Sequence, residues 1–293
     1  MVAINTQASS NSLIAKSVNC ERIKIPLCLN FLFNAKTALS CLDLTELSDQ
    51  CQASDVAALC VKAMGQHSSG VNIGQVAAVC VWPAFVAQAR SLLPNTIEVA
   101  AVVNFPSGQE PFNKVKADIQ TIRDGGGTEV DCVFPYQDLM AGQEATCLEF
   151  LKQVRAACSG MRLKLILETG AMQEPSLIAK ACEIGLLAGV DFLKTSTGKI
   201  PQGASLEAAE ILLTALQQSG RASQLGFKPS GGIKTVQDAQ KYIDLSAKIV
   251  GSDFINAAHF RIGASGIWND IATILGAQAS STNPAAASQN PHY

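Results

Sequence analysis

The stretch Arg162–Lys199, RLKLILETGAMQEPSLIAKACEIGLLAGVDFLKTSTGK, reads as one strand–helix–strand unit. Arg162–Leu167 is a short, largely apolar run of the kind expected of a strand covered on both faces. Pro175–Ala188 has helix character, and Asp191–Lys194 is a second strand. Outward from this unit the same alternation recurs. The strand candidates are Ser40–Leu44, Val76–Val81, Glu98–Val103, Glu129–Phe134, Arg162–Leu167, Asp191–Lys194, Leu225–Phe227 and Lys248–Val250. Helices are predicted at Pro111–Arg123, Glu144–Ala157, Pro175–Ala188, Leu206–Gln218 and Thr235–Ser246. Strand starts mostly fall ~20–40 residues apart, the size of a β–α unit. Eight such units predict an α/β single domain closed into a (β/α)8 TIM barrel. An open, doubly wound sheet is the alternative. No G-x-G-x-x-G opens a helix after the first strand, so a dinucleotide fold has little support.

Composition agrees with one large core. The chain has 293 residues, 48% hydrophobic and only 16% charged, which argues against a disordered or fibrous chain. Residues 1–35 read as an N-terminal extension of unknown role, 36–276 as the barrel, and 277–293 as a low-complexity, flexible tail. With 22 basic and 24 acidic residues, the net charge of -2 leaves no footprint for nucleic acid or an anionic membrane. No apolar run approaches the ~20 residues of a membrane span. The best signal-peptide core, Ile25–Phe33, is short, is interrupted by Asn30 and follows Glu21. Cys41, in the faintly lipoprotein-like ALSC, leads directly into a strand. No signal peptide is therefore expected, and the location is read as cytoplasmic. The ten cysteines contain no C-x-x-C pair and read as small core hydrophobes. His67, His259 and His292 form no metal-ligand pattern, so no metal is expected.

In such a barrel, function gathers at the C-terminal ends of the strands. The polar residues there are Asp43, Thr45, Asn104, Asp131, Glu168, Thr169, Lys194 and Lys228. Lys194 closes a buried strand, where desolvation disfavours the ammonium form. A neutral amine attacks carbonyls and forms a Schiff base. A structural ion pair, or a fixed charge for phosphate, would also suit a lysine here. Lys228 ends the neighbouring strand, ~5 Å away. Two ammonium groups at that spacing repel by roughly 3 kcal/mol at an effective dielectric near 20, or about two pKa units. Lys228 would thus activate Lys194, unless the two side chains diverge to separate carboxylates. Asp131, inside the fourth strand, is the natural partner of both lysines and a candidate proton shuttle; a purely structural counter-ion is the alternative. Gly198, Gly231 and Gly232, and Gly263 follow late strands, where phosphate sites often form in this fold. Ser265 and Lys199 add donors.

The motifs LDLTEL, VNFPSG, EVDCVFPYQDLMAG, LKLILETG, DFLKTSTGK, GFKPSGG and FRIGAS together resemble the deoxyribose-phosphate aldolase family, over about Ala38–Leu275. The resemblance implies a barrel without metal or organic cofactor. It implies reversible cleavage of 2-deoxy-D-ribose 5-phosphate to glyceraldehyde 3-phosphate and acetaldehyde. The Schiff-base lysine then falls on Lys194, its perturbing lysine on Lys228 and the relay aspartate on Asp131. The phosphate-binding positions fall on Gly231, Gly232, Gly263 and Ser265. Lys164 matches a further family position, with Asp43, Thr45 and Thr197 supporting. Gly266 stands where many members carry a second serine, and Lys234 where an arginine is common. Family members form dimers or tetramers, which implies a homodimer or homotetramer. Tyr293, a lone terminal tyrosine shared by some relatives, is a candidate to reach the mouth and assist enamine protonation. Two other readings of the site are a transaldolase-like lyase with a longer ketose substrate and a non-catalytic phosphosugar-binding barrel.

Overall fold

The computed structural model describes residues 32–276. Tyr293 and most of the predicted N-terminal extension lie outside them. A helix over residues 32–40 (α1) leads into β1 (Leu42–Thr45). There follow α2 (Ala53–Ala63), β2 (Ala78–Val81), α3 (Val86–Leu92), β3 (Glu98–Val103), α4 (Phe112–Asp124) and β4 (Glu129–Val133). Next come α5 (Tyr136–Met140), α6 (Glu144–Ala157), β5 (Arg162–Ile166), α7 (Thr169–Met172), α8 (Pro175–Ala188) and β6 (Phe192–Lys194). The last are α9 (Leu206–Gln218), β7 (Gly226–Lys228), α10 (Val236–Ile249), β8 (Ile262–Ala264) and α11 (Ile267–Ile274).

All strand pairs are parallel, in the order β7-β6-β5-β4-β3-β2-β1-β8. The sheet closes between its two edges. Phe227 bridges Phe260 and Ser230 bridges Gly263, both in parallel, and the Arg261 N–H donates to the Phe227 carbonyl at 3.0 Å. The predicted (β/α)8 barrel is thus the observed fold.

Period-two alternation sorts the strand residues onto two faces. Val99, Ala101 and Val103 of β3, Val130 and Cys132 of β4, and Leu163 and Leu165 of β5 join the large apolar layer beneath the helices. Their neighbours Ala100, Val102, Val133 and Ile166 form a small separate cluster in the lumen with Cys80, Leu47 and Phe105. The buried charged residues Asp43, Glu129, Asp131, Lys164, Lys194 and Lys228 belong to neither cluster. Glu129 and Asp131 alternate with Val130 and Cys132, so they share the inner face with Val133.

The eighth strand departs from expectation. Lys248–Val250 is not a strand: Lys248 and Ile249 end α10, and Val250 caps it. Its apolar pair prolongs the helical spacing of Val236, Ala239, Tyr242, Ile243 and Ser246, the buried face of that helix. The true β8 is Ile262–Ala264, so Gly263 lies within the strand rather than beyond it. Three residues are too few for alternation to register, and here Arg261 and Gly263 also break up the apolar run. α1, α2, α3, α5, α7 and α11 have no counterpart among the helices expected from the sequence.

Candidate active site

The strand register stacks the lumen residues in layers. Asp131 of β4 lies opposite Lys164 of β5, and Lys194 of β6 lies between Ile166 of β5 and Lys228 of β7. Asp43 of β1 pairs with Gly263 of β8. A Cβ at Gly263 would fall 3.0 Å from Lys228 Cε and 2.8 Å from Ser230 Cβ. Glycine there leaves room for the Lys228 stem.

These residues make one ionic network. Asp131 Oδ2 accepts from Lys194 Nζ at 2.7 Å and from Lys228 Nζ at 2.8 Å, while Oδ1 accepts from Lys164 Nζ at 3.0 Å. Lys228 also donates to Asp43 Oδ2 at 2.5 Å, and Lys164 donates to Glu129 Oε2 at 2.5 Å. Arg261, just before β8, reaches Asp43 Oδ1 at 2.6 Å and Glu129 Oε1 at 2.9 Å. Arg162 donates to Glu129 from the rim.

Electrostatics separates the three lysines. Burial opposes the charge on Lys228, but Asp131 and Asp43 outweigh it and hold the ammonium above its ordinary range. Lys164 is likewise buried and likewise raised, by Asp131, Glu129 and Asp43. Lys194 goes the other way. Burial lowers it, Asp131 only partly compensates, and the Lys228 charge adds to the depression. The predicted effect of Lys228 on Lys194 is therefore present, but burial is the larger cause. Asp131 is held well below the usual carboxylate range because its three lysines outweigh the cost of burial.

Lys164 and Lys228 are fully buried, whereas Lys194, 4% exposed, lines a cavity of about 590 Å³ at the mouth. That volume is within the range of small-molecule sites. The loops after β1, β6, β7 and β8 form its walls, and it takes in Thr45, Thr197, Gly198, Lys199, Gly231, Gly232, Gly263, Ser265, Gly266 and Lys234. Gly231 and Gly232 both sit at φ +83°, a left-handed backbone open to glycine. α11 starts directly after Gly266, at the cavity wall. Lys199 Nζ, expected as a phosphate donor, is engaged with Asp49 at 2.7 Å on the surface. The Thr45 hydroxyl donates to the Asp43 carbonyl at 2.9 Å.

Glu168, two residues after β5 and directly before α7, sits in a left-handed conformation (φ 55°), costly for a residue with a Cβ, and is buried. Its carboxylate accepts from the hydroxyl and the N–H of Thr197, tying down the loop after β6. Burial raises its pKa against those hydrogen bonds. A larger groove of about 780 Å³ lies outside the barrel between α8 and α9 and shares no lining residue with this cavity. Among the described residues no His/Cys/Asp/Glu cluster is suited to a metal ion, and the eight cysteines are free thiols.

Sequence reading missed Glu129 and Arg261 as members of the network. Each offered a signal: Glu129 stands two residues before Asp131, on the same strand face, and Arg261 interrupts the apolar run around FRIGAS.

Comparison with known proteins agrees with this geometry. The sequence pattern of the DeoC/LacD family aldolases matches residues 37–266. A deoxyribose-phosphate aldolase of Agrobacterium fabrum is 43% identical over 244 residues, covering 82% of this chain and 91% of that protein. A candidate deoxyribose-phosphate aldolase of Coccidioides immitis superposes with a TM-score of 0.68 at 26% identity, over 87% of this chain and 98% of that one. The tetrameric deoxyribose phosphate aldolase of Aeropyrum pernix shares the fold, with a TM-score of 0.64 at 23% identity, over 87% and 96% of the two chains.

Proposed function

The chain belongs to the DeoC/LacD family of aldolases, and from that premise we propose that it reversibly cleaves 2-deoxy-D-ribose 5-phosphate to D-glyceraldehyde 3-phosphate and acetaldehyde through a Schiff base on Lys194. The observation that carries the reading is the position of Lys194. Of the three lumen lysines it alone lines the cavity, and its Nζ lies 2.7 Å from an Asp131 oxygen that Lys228 also holds at 2.8 Å.

The chemistry follows from those contacts. The free amine of Lys194 attacks the C1 aldehyde of the open-chain sugar and forms a carbinolamine. Loss of water leaves a protonated imine, the electron sink. The C3 hydroxyl gives up its proton, the C2–C3 bond breaks, and its electron pair moves into the imine to give an enamine. Glyceraldehyde 3-phosphate departs. Protonation at C2 and hydrolysis of the imine then release acetaldehyde and restore Lys194. Asp131, with Lys228 and a water, is the proton shuttle for carbinolamine dehydration and enamine formation. Lys164 and Asp43 keep Asp131 and Lys228 in their charged forms. Backbone N–H groups around Gly198, Gly231, Gly232 and Gly263, with Ser265 and Lys199, bind the phosphate, and Lys234 adds a cation at the same wall. Thr45 and Thr197 shape the cavity.

The same reading takes residues 36–276 as the catalytic unit, a homodimer or homotetramer as the assembly, and the cytoplasm as the location. Free thiols suit a reducing compartment. Among the described residues no helix is long and apolar enough to cross a membrane.

The test is to incubate the protein with deoxyribose 5-phosphate, reduce with borohydride and map the adduct by peptide mass spectrometry. The expected result is a two-carbon or sugar-phosphate adduct on Lys194. No adduct on any lysine of folded protein overturns the reading. An adduct on Lys164 or Lys228 keeps the reaction and reassigns the nucleophile.

A further inference from the structure

Below Lys194, three carboxylates meet three cations. Asp43, Glu129 and Asp131 are contacted by Lys164, Lys228 and Arg261, all six essentially fully buried. Arg162 touches Glu129 from a side chain that is 32% exposed, so water screens it. Each carboxylate oxygen in the block has a cationic partner within it. The block therefore balances before Lys194 is counted, and a proton on Lys194 would add a charge that none of its three carboxylates is left to neutralise. Arg261 is essential to that balance. It lies at the far end of the network from the cavity, makes no contact with Lys194, and bridges Asp43 to Glu129.

We propose that Arg261 is a positioning residue for the aldol chemistry: its guanidinium neutralises Asp43 and Glu129, so that the buried block is balanced without a proton on Lys194. The proposal rests on the reading of Lys194 as the Schiff-base nucleophile. An arginine suits the role because its guanidinium stays charged and spans two carboxylates at once. The charged and titratable groups facing Lys194 are Asp131 from β4, Lys228 from β7, Glu168 from the loop after β5 and Cys80 from β2, with Lys164 of β5 and Asp43 of β1 one contact further away, on Asp131 and Lys228. The lumen residues of β3, Ala100 and Val102, carry no charge. Burial pushes the Cys80 thiol up to about 11. Deleting the Arg261 charge leaves three carboxylates with two cations, and the block then draws a proton onto Lys194. Deleting the Glu129 charge does the reverse.

The experiment is kcat/KM for deoxyribose 5-phosphate cleavage against pH, for the full chain and for Arg261→Gln, Arg261→Lys, Glu129→Gln and the Arg261→Gln/Glu129→Gln pair. Arg261→Gln is expected to move the acidic limb up by about one pH unit, a roughly tenfold loss on the limb. Arg261→Lys keeps the wild-type limb, Glu129→Gln moves it down, and the double variant returns it. A uniform loss at every pH in Arg261→Gln, or identical profiles for the Gln and Lys variants, overturns the proposal. Where Arg261→Gln does not fold, Glu129→Gln decides by its opposite sign, and an unmoved limb overturns the proposal. Borohydride trapping of wild type with acetaldehyde runs alongside. An adduct on Lys194 with unmoved limbs removes only the role of Arg261, whereas no adduct removes the nucleophile itself.

Discussion

Along β5, Leu163 and Leu165 turn outward into the helix layer, while Lys164 and Ile166 turn into the lumen. The outer face is uniformly apolar, and each fully buried leucine there stabilises the fold by about 1.5–3 kcal/mol. The inner face carries a network of buried ion pairs, whose Coulombic gain is largely offset by desolvation. Adjacent residues of one strand thus serve different ends. The outer residues pack the helix layer onto the barrel, and the inner ones keep a depressed amine beside charged neighbours. Because the two sets alternate, the chemistry can be altered without dismantling the core that supports it.

The sharpest break of this contrast is Lys194→Met. Cleavage activity should fall by more than about 10⁴-fold, and borohydride should trap nothing. Thermal unfolding should stay at or above the wild-type temperature, because methionine keeps the apolar stem and spares the burial of an amine, while Asp131 keeps Lys164 and Lys228. A large drop in unfolding temperature would mean that Lys194 is a structural counter-ion. Its register neighbour should behave differently. Lys228→Met leaves Asp43 and Asp131 short of a partner and should destabilise by about 3–5 kcal/mol, read by urea unfolding, along with losing activity. The outer face gives the third case. Leu165→Ala should destabilise by about 2–5 kcal/mol through cavity formation, yet leave kcat per folded molecule unchanged. A changed kcat would show that the two faces are coupled.

How far the sequence could be read follows from the same contrast. β3 has its predicted bounds, Glu98–Val103, because six residues of Glu-Val-Ala-Ala-Val-Val carry a strong local signal. α6, α8 and α9 also match residue for residue, since their apolar spacing and first-turn residues are local properties. β8 escaped because three residues define no period, and its place is set by pairing with Leu42–Leu44 across the closing seam. Within the site, Lys194, Lys228 and Asp131 were legible because a charge in an apolar run is expensive and demands a partner. Arg261 was not, since its partners Asp43 and Glu129 lie 218 and 132 residues away in the chain.

The sequence by itself determined the alternation of strands and helices, the barrel that eight such units build, and the chemical kind of the residues at the strand ends. Those are consequences of short-range periodicity and of the cost of burying charge. Only the tertiary structure decided which charge meets which. The closure of β7 against β8 brings Arg261 beneath the lysines, and the register of β6 with β7 sets two ammonium groups on one carboxylate oxygen. A Coulomb interaction depends on distance and on the medium between the charges, and both exist only once the barrel has closed.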